Sequence, residues 1–173
     1  MTRSADLARR ARLRPWRDAD RPIGLALFDS NVPRFFAAVE KADYVAFLDD
    51  LPGPYFVLED DAGEALGCGG YAAEADPSLA ALCWGMIRGD LHGQRLGARL
   101  LDARLDLIAA DPAFRAVDIE TTQHSRGFFA RYGFAETKVI PDGFAPGMDW
   151  VAMTLDLAGK WLPGPDSNRR PSD

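Results

Sequence analysis

The stretch Leu82-Cys-Trp-Gly-Met-Ile-Arg-Gly-Asp-Leu-His-Gly-Gln-Arg-Leu-Gly97 decides the fold of this chain. It begins as a continuous apolar run, which is typical of a strand buried on both faces of a sheet. It then passes through a glycine-bearing turn into a helix whose apolar residues recur at three- to four-residue spacing until Asp111-Pro112. The next β-like run is Ala116–Thr121. A strand, a helix and a second strand in this order predict a right-handed crossover between two parallel strands.

The elements on either side of this unit follow from the same kind of pattern. Helix-like segments have apolar positions three to four residues apart, and strand-like segments alternate or are continuously apolar. In chain order they are a strand at 11–16, a helix after Asp18, a helix from Pro33 to Leu51, a hairpin of 55–58 and 65–72, the central unit, a short helix that Ser125 can cap and Gly133 closes, and strands around 137–140 and 150–157. The order βααβββαβαββ predicts an α/β (α+β) fold with a mixed, mostly antiparallel sheet and helices on both faces.

Length and composition predict one domain. The 173 residues, of which 47% are hydrophobic, suit a single globular unit over 11–158. Residues 1–10 are expected to be a flexible extension, and residues 159–173 a disordered tail because they are rich in Pro, Ser, Asn and Arg. Cys68 and Cys83 are too few and too far apart for a disulfide framework or a metal site, so buried free thiols are expected.

Charge and hydropathy narrow the classes of partner. The net charge is −6, and residues 1–21 carry +4, so the remainder of the chain carries −10. Such an acidic body makes nucleic acid an unsuitable partner. An apolar run of the roughly 20 residues that a membrane span requires is not found, so we expect a cytoplasmic protein without a membrane partner.

The turn before the central helix suits a phosphate group. The first turn of a helix presents unpaired backbone N–H groups and the positive end of the helix dipole. Gly93 and Gly97 would let ligand oxygens approach the backbone, while Gln94, Arg95 and Arg99 could supply polar or charged contacts. Neither the lysine and hydroxyl that end a P-loop nor a complete Gly-x-Gly-x-x-Gly is present, so the phosphate belongs to another kind of ligand.

The sequence resembles the GNAT superfamily of acyl-CoA-dependent N-acetyltransferases. That family has (Arg/Gln)-x-x-Gly-x-(Gly/Ala) after its central strand, and the matching place here is His92-Gly-Gln-Arg-Leu-Gly97. His92 replaces the Arg or Gln, and Arg95 replaces the first glycine. Because a left-handed backbone costs a non-glycine residue about 1–2 kcal/mol, we predict a right-handed turn at Arg95. Downstream, Ser125-Arg-Gly-Phe-Phe-Ala-Arg-Tyr-Gly-Phe134 is similar to a second family segment.

The resemblance implies acetyl-CoA as co-substrate. In the family the central strand splays at a bulge, and its main chain pairs with the pantetheine arm and stabilises the oxyanion of the tetrahedral intermediate. By position that main chain belongs to Gly85, Met86 and Ile87. The further residues implied to contact the coenzyme are His92, Gly93, Gln94, Arg95, Leu96, Gly97, Ala98, Ser125, Phe128 and Phe129.

The acid and the base of the reaction are less clearly indicated. The acceptor amine must lose a proton, and Glu120, Glu74 and His124 are candidates to accept it. The two glutamates are also explained as surface carboxylates, and His124 as a residue for helix capping or CoA contact. Phe129 occupies the place of the tyrosine that protonates the leaving thiolate in many relatives, and phenylalanine cannot donate a proton. Water, Ser125 or Tyr132 could substitute for that tyrosine. We interpret Phe129 as a packing residue beside the pantetheine.

The function that follows is an acetyl-CoA-dependent N-acetyltransferase, in which the amine of a small molecule or peptide attacks directly in a ternary complex. The alternatives are a non-catalytic acyl-CoA-binding or sensing module, suggested by Phe129, and a nucleotide-binding fold without CoA chemistry. A homodimer is compatible with the sequence.

Overall fold

The structure, a computed structural model, describes residues 3–158. Twelve helices and strands follow one another in this part of the chain, with single 3₁₀ turns between some of them. They are α1 (Arg3–Arg10), β1 (Arg12–Pro15), α2 (Arg21–Asp29), α3 (Lys41–Asp49), β2 (Tyr55–Glu59), β3 (Ala65–Ala73), β4 (Leu79–Ile87), α4 (Leu96–Ala110), β5 (Ala116–Thr121), α5 (Arg126–Arg131), β6 (Ala135–Ala145) and β7 (Met148–Asp156). From β1 onward the order is the predicted βααβββαβαββ.

The seven strands form one sheet in the order β1-β2-β3-β4-β5-β7-β6. The pairs β1–β2, β2–β3, β5–β7 and β6–β7 are antiparallel, whereas β4 and β5 are parallel. The predicted mixed, mostly antiparallel sheet is therefore confirmed. The parallel pair is the one that α4 connects, as the crossover argument requires. The register pairs of β4 and β5 join Leu79–Ala81, which lie in the first half of β4, to Ala116–Asp118.

The chain divides into two compact units, and β4 and α4 each contribute to both. The first unit consists of the chain up to Ala72 together with Cys83–Arg104. Two apolar clusters form its interior. One gathers Ala8, Ala11, Leu58, Leu66, Ile87, Leu96 and Leu100, and the other Leu27, Phe28, Tyr44, Tyr55, Cys68 and Met86.

The second unit consists of Ala73–Leu82 and the chain from Leu105 onward. Its fully buried residues come from the beginning of β4, the end of α4, β5 and β7, and include Ala80, Ile108, Val117, Val151 and Met153. Arg115 ties the loop before β4 to this unit, because its backbone N–H donates to Ser78 O (2.8 Å) and its side chain contacts Ser78 and Asp76.

The two ends of the predicted domain differ in what the structure describes. The first ten residues were expected to be a flexible extension. Arg3–Arg10 instead form α1, with Ala8 buried and Ala11 N–H donating to Leu7 O (2.9 Å). The expected tail at 159–173 lies outside the described residues. Among residues 3–158, every helix is too short or too polar to cross a membrane.

The predicted helix from Pro33 to Leu51 is wrong at its beginning. The residues around Pro33 form turns, and α3 begins only at Lys41. Glu40 ends a 3₁₀ turn, Ala38–Glu40, that leads directly into α3, and its buried carboxylate accepts a hydrogen bond from the N–H of Ala37, the residue that caps this turn (2.7 Å). Phe35 and Phe36 therefore belong to the segment before the helix.

Candidate functional site

The turn between β4 and α4 has two residues in the left-handed backbone region. Gly93 has a φ of 81° and Arg95 a φ of 63°. The prediction of a right-handed turn at Arg95 is thus wrong. The structure has the left-handed conformation at the position of the first glycine of the family motif. An arginine adopts this conformation here at a cost of about 1–2 kcal/mol. A Cβ at Gly93 would meet nothing within 4 Å, so the space above this part of the turn is open.

Asn31 holds this turn against the end of β4, and the sequence did not single it out. Its side chain is 2% exposed, and its amide donates to Leu27 O (2.8 Å) and to Ile87 O (2.9 Å). His92 Nε2 lies 2.8 Å from Asn31 Oδ1 and 3.1 Å from Ile87 O. Both partners are acceptors, so Nε2 carries the proton. His92 also stacks on Phe35, with ring centroids 4.3 Å apart.

The position of His92 gives it a structural task that the sequence did not predict. It was expected to contact the coenzyme in place of the family's Arg or Gln. In the structure its Nε2 is engaged by the end of β4, and partial burial lowers the pKa of the imidazole. The ring is therefore mainly neutral near pH 7, with Nδ1 as its unprotonated nitrogen.

Strand β4 is distorted at Trp84, whose φ is 38°. This is a rare conformation for an aromatic residue and indicates local backbone strain. Tyr55 stabilises it, because its hydroxyl donates to Trp84 O (2.8 Å). The indole packs among aromatic rings at centroid distances of 5.0–6.4 Å, those of Phe28, Phe36, Tyr44 and Phe47. The family resemblance implied a bulge in β4; the structure shows the positive φ at Trp84, three residues beyond the register pairs of Leu79–Ala81 with β5.

The residues after Trp84 direct their main-chain groups alternately to the two edges of β4. Arg88 N–H donates to Leu66 O of β3 (2.8 Å). Because successive residues of a strand direct their main-chain groups to opposite edges, Met86 shares the edge that faces β3. Gly85 and Ile87 face the other edge, and the Ile87 carbonyl is already taken by Asn31. Of the three predicted residues, Gly85 and the N–H of Ile87 remain suited to a ligand.

Arg104 is a second residue that sequence reasoning missed. It lies on α4 and is 4% exposed, and its guanidinium contacts Gly70 O (3.3 Å) and, through Nε, Leu100 O (3.4 Å). Burial lowers the pKa of this guanidinium to about 10, so it stays charged at neutral pH. The sequence feature that could have identified Arg104 is its charge within the otherwise apolar stripe of α4.

In the second unit, three carboxylates lie close together. Glu74 has a raised pKa, first because of partial desolvation and then because of Asp118, which also hydrogen-bonds to it, and of Glu120. Asp118 Oδ1 accepts a hydrogen bond from Thr154 Oγ1 (2.6 Å). The two glutamates predicted as bases are thus brought together, and a proton on Glu74 is favoured by its acidic neighbours.

Helix α5 carries the remaining predicted residues. Ser125 is its N-cap residue, but its side chain makes no capping hydrogen bond, so the expected cap is wrong. Thr122 O instead accepts from the N–H groups of Ser125 (3.1 Å) and Arg126 (3.0 Å). Phe129 is buried, with its ring edge-on to those of Phe128 and Phe134 at 5.2 and 5.5 Å. The interpretation of Phe129 as a packing residue is therefore supported.

Comparisons with known proteins agree with this architecture. A family model described as an acetyltransferase (GNAT) domain matches residues 29–157, about three quarters of the chain. Comparison with curated proteins finds no match.

Several solved structures share the fold at low sequence identity. One is a proposed phosphinothricin N-acetyltransferase (TM-score 0.71, 20% identity, 85% of this chain and 98% of that one). Another is Ard1 from Thermoplasma volcanium (0.69, 16%, 85% and 97%). A third is a mutant form of the spermidine/spermine N-acetyltransferase SpeG from Vibrio cholerae (0.66, 15%, 88% and 96%). At these identities the likeness concerns the fold. With the family model covering most of the chain, this protein belongs to the GNAT family of N-acetyltransferases.

Proposed function

We propose that this protein transfers the acetyl group of acetyl-CoA to the amine of a small molecule or peptide, by direct attack of the amine in a ternary complex. The observation that carries the proposal is the backbone of the β4–α4 turn. Arg95 holds the left-handed conformation at the place of the family's first glycine, although this costs a non-glycine residue about 1–2 kcal/mol. Strain of this kind persists where a function depends on the backbone.

The turn offers what a diphosphate requires. The beginning of α4 directs its first backbone N–H groups and the positive end of the helix dipole toward the turn. Gly93 leaves the backbone open to a ligand, and Arg95 is exposed. We assign the coenzyme diphosphate to the residues from His92 to Ala98. The thioester oxygen would be bound by the main chain of Gly85 and Ile87.

For the base, the second unit favours Glu74 over Glu120. A carboxylate accepts a proton from an alkylammonium more readily as its own pKa rises, and the pKa of Glu74 is raised by its acidic neighbours. The same three carboxylates carry negative charge that suits a cationic acceptor.

Ser125, Phe128 and Phe129 stay predictions for coenzyme contacts, as do the homodimer and the cytoplasmic location.

The direct test is release of CoA in the presence of acetyl-CoA and a panel of amines. Because the comparison proteins include ones described by spermidine, spermine and phosphinothricin, the panel would contain these three compounds together with peptides bearing a free N-terminus. Turnover with at least one amine is expected, and Glu74→Gln would lower its rate about tenfold or more. Glu136→Gln, on exposed β6, is a matched control with an expected rate near that of the wild type.

The non-catalytic alternative rests on Phe129. A buried phenylalanine at the place of the usual acid leaves the departing thiolate without that donor. A free thiol has a pKa of about 8.5, so its thiolate leaves without an acid at a moderate rate, and slow transfer is expected rather than none. Acetyl-CoA binding measured by calorimetry, with no CoA release across the whole panel, would favour the acyl-CoA sensor.

A further inference from the structure

Arg104 occupies a position where the helix pattern calls for an apolar residue. Leu96, Leu100 and Ile108 lie at four-residue spacing with Arg104 between them, and all four are buried. Residues four apart lie on the same face of a helix. The arginine therefore takes the place of an apolar residue in the buried stripe of α4.

Glycines on β3 and β4 leave room for its guanidinium. A Cβ at Gly85 would lie 2.6 Å from Nη2 and 2.9 Å from Nη1 of Arg104, and a Cβ at Gly69 would lie 3.2 Å from Cζ. Nη1 also donates to Gly70 O (3.3 Å). The cationic group thus fills the side-chain space of Gly85, a residue that is itself exposed and follows the distorted Trp84.

In residues 3–158, the Arg104 guanidinium hydrogen-bonds to the backbone carbonyls of Gly70 and Leu100. In the described part of the chain, the groups that favour its charged form are Tyr55, Cys83 and Cys68, none of which is an acidic side chain of the Asp or Glu type. Taking a charge out of water without an ionic partner is costly, and a well-packed apolar residue of similar volume is often more stable in such a place. Packing alone therefore does not explain an arginine here.

We propose that Arg104 is a positioning residue for acetyl transfer: its fixed positive charge behind Gly85 strengthens the stabilisation that the main chain of this residue gives to the thioester oxygen. The proposal rests on the proposed function, because it takes the thioester to lie at Gly85. Arg104 touches neither acetyl-CoA nor the amine, and it acts through the Gly85 backbone.

The step at which the charge acts is the attack of the amine. The nitrogen lone pair forms a bond to the thioester carbon, and the carbonyl π electrons move to the oxygen, which becomes negative. A base takes the proton of the amine. The oxygen then re-forms the carbonyl, the carbon–sulfur bond breaks, and CoA leaves as the thiolate. A positive charge near the oxygen stabilises the intermediate more than the neutral thioester, so it raises kcat more than it lowers KM.

The experiment compares the wild type with Arg104→Met, which keeps the length of the side chain and removes its charge. Acetyl-CoA labelled with ¹³C at the thioester carbonyl is bound to each protein, and infrared difference spectra report the carbonyl stretch without need of turnover. We expect the bound carbonyl to shift to lower frequency in the wild type and by clearly less in the variant. The kcat should fall about tenfold with KM for acetyl-CoA unchanged.

Stability separates this role from a structural one. If Arg104 serves only packing, Arg104→Met lowers stability and activity together. We expect urea unfolding to show unchanged or increased stability in the variant, because a buried charge is removed. Arg104→Lys keeps the charge and should retain part of the frequency shift. Arg21→Met removes a charge from an exposed ion pair with Asp49 and should leave all these properties as in the wild type.

Two results would contradict the inference without contradicting the proposed function. Equal carbonyl shifts in the wild type and in Arg104→Met would overturn it while leaving acetyl-CoA binding established. A parallel loss of stability and kcat in Arg104→Met, with no rescue by Arg104→Lys, would assign Arg104 to the core alone. If the wild type bound no acetyl-CoA, the proposed function itself would fail, and the inference with it.

Discussion

The left-handed conformation of Arg95 gives a prediction in which backbone strain and charge can be measured separately. Arg95→Gly and Arg95→Ala both remove the guanidinium, but only glycine is free of the Cβ penalty at a φ of 63°. That penalty is about 1–2 kcal/mol, and the greater freedom of glycine in the unfolded chain offsets about 0.4–1 kcal/mol of it. The glycine variant should therefore be more stable than the alanine variant by about 1 kcal/mol.

Urea unfolding followed by circular dichroism measures this difference, provided that the slope of the free energy with urea is the same in both variants. An alanine variant as stable as the glycine variant would refute the left-handed assignment. Calorimetric titration with acetyl-CoA then isolates the charge. Both variants should bind about tenfold more weakly than the wild type, since a charge-assisted contact to phosphate is worth about 1.5–3 kcal/mol and exposure weakens it.

The structure supports three further predictions. Asp20→Asn should lower the free energy of unfolding by about 2 kcal/mol in urea melts at pH 7, because Asp20 is buried and binds Arg14 through two contacts of 2.8 Å. Because that arginine lowers the pKa of Asp20, the difference in stability between the wild type and this variant should shrink as the pH falls below about 3.8. Asn31→Ala should cost about 2 kcal/mol in the same assay, since Ile87 O loses its 2.9 Å donor, and should weaken acetyl-CoA binding in calorimetry. Glu74→Gln should gain stability relative to the wild type as the pH rises from 4 to 7, because the raised pKa of Glu74 means that its ionisation opposes folding; a constant difference across this range would contradict the carboxylate cluster.

The elements with strong local patterns could be predicted from the sequence. The hairpin of β2 and β3 is an example, because Asp60 and Gly63 (φ 80°) give its turn a chemistry that is readable in the chain. The start of α3 could not be predicted, because it depends on the buried Glu40 rather than on the proline that precedes it. The sequence also predicts that Ser125 caps α5. In the structure the Thr122 carbonyl accepts the backbone hydrogen bonds at this helix start instead.

For the candidate site, the sequence by itself determined the strand–turn–helix unit, its glycines and its likeness to a family motif. These depend on residue order and on contacts between near neighbours. Only the tertiary structure decided the left-handed backbone conformation of Arg95, the hydrogen bonds of Asn31 to Ile87 and His92, and the position of Arg104 behind Gly85. Each of these joins residues distant in the chain or a conformation that local propensity disfavours. The energy that maintains them comes from packing of the whole unit, which residue order alone does not reveal.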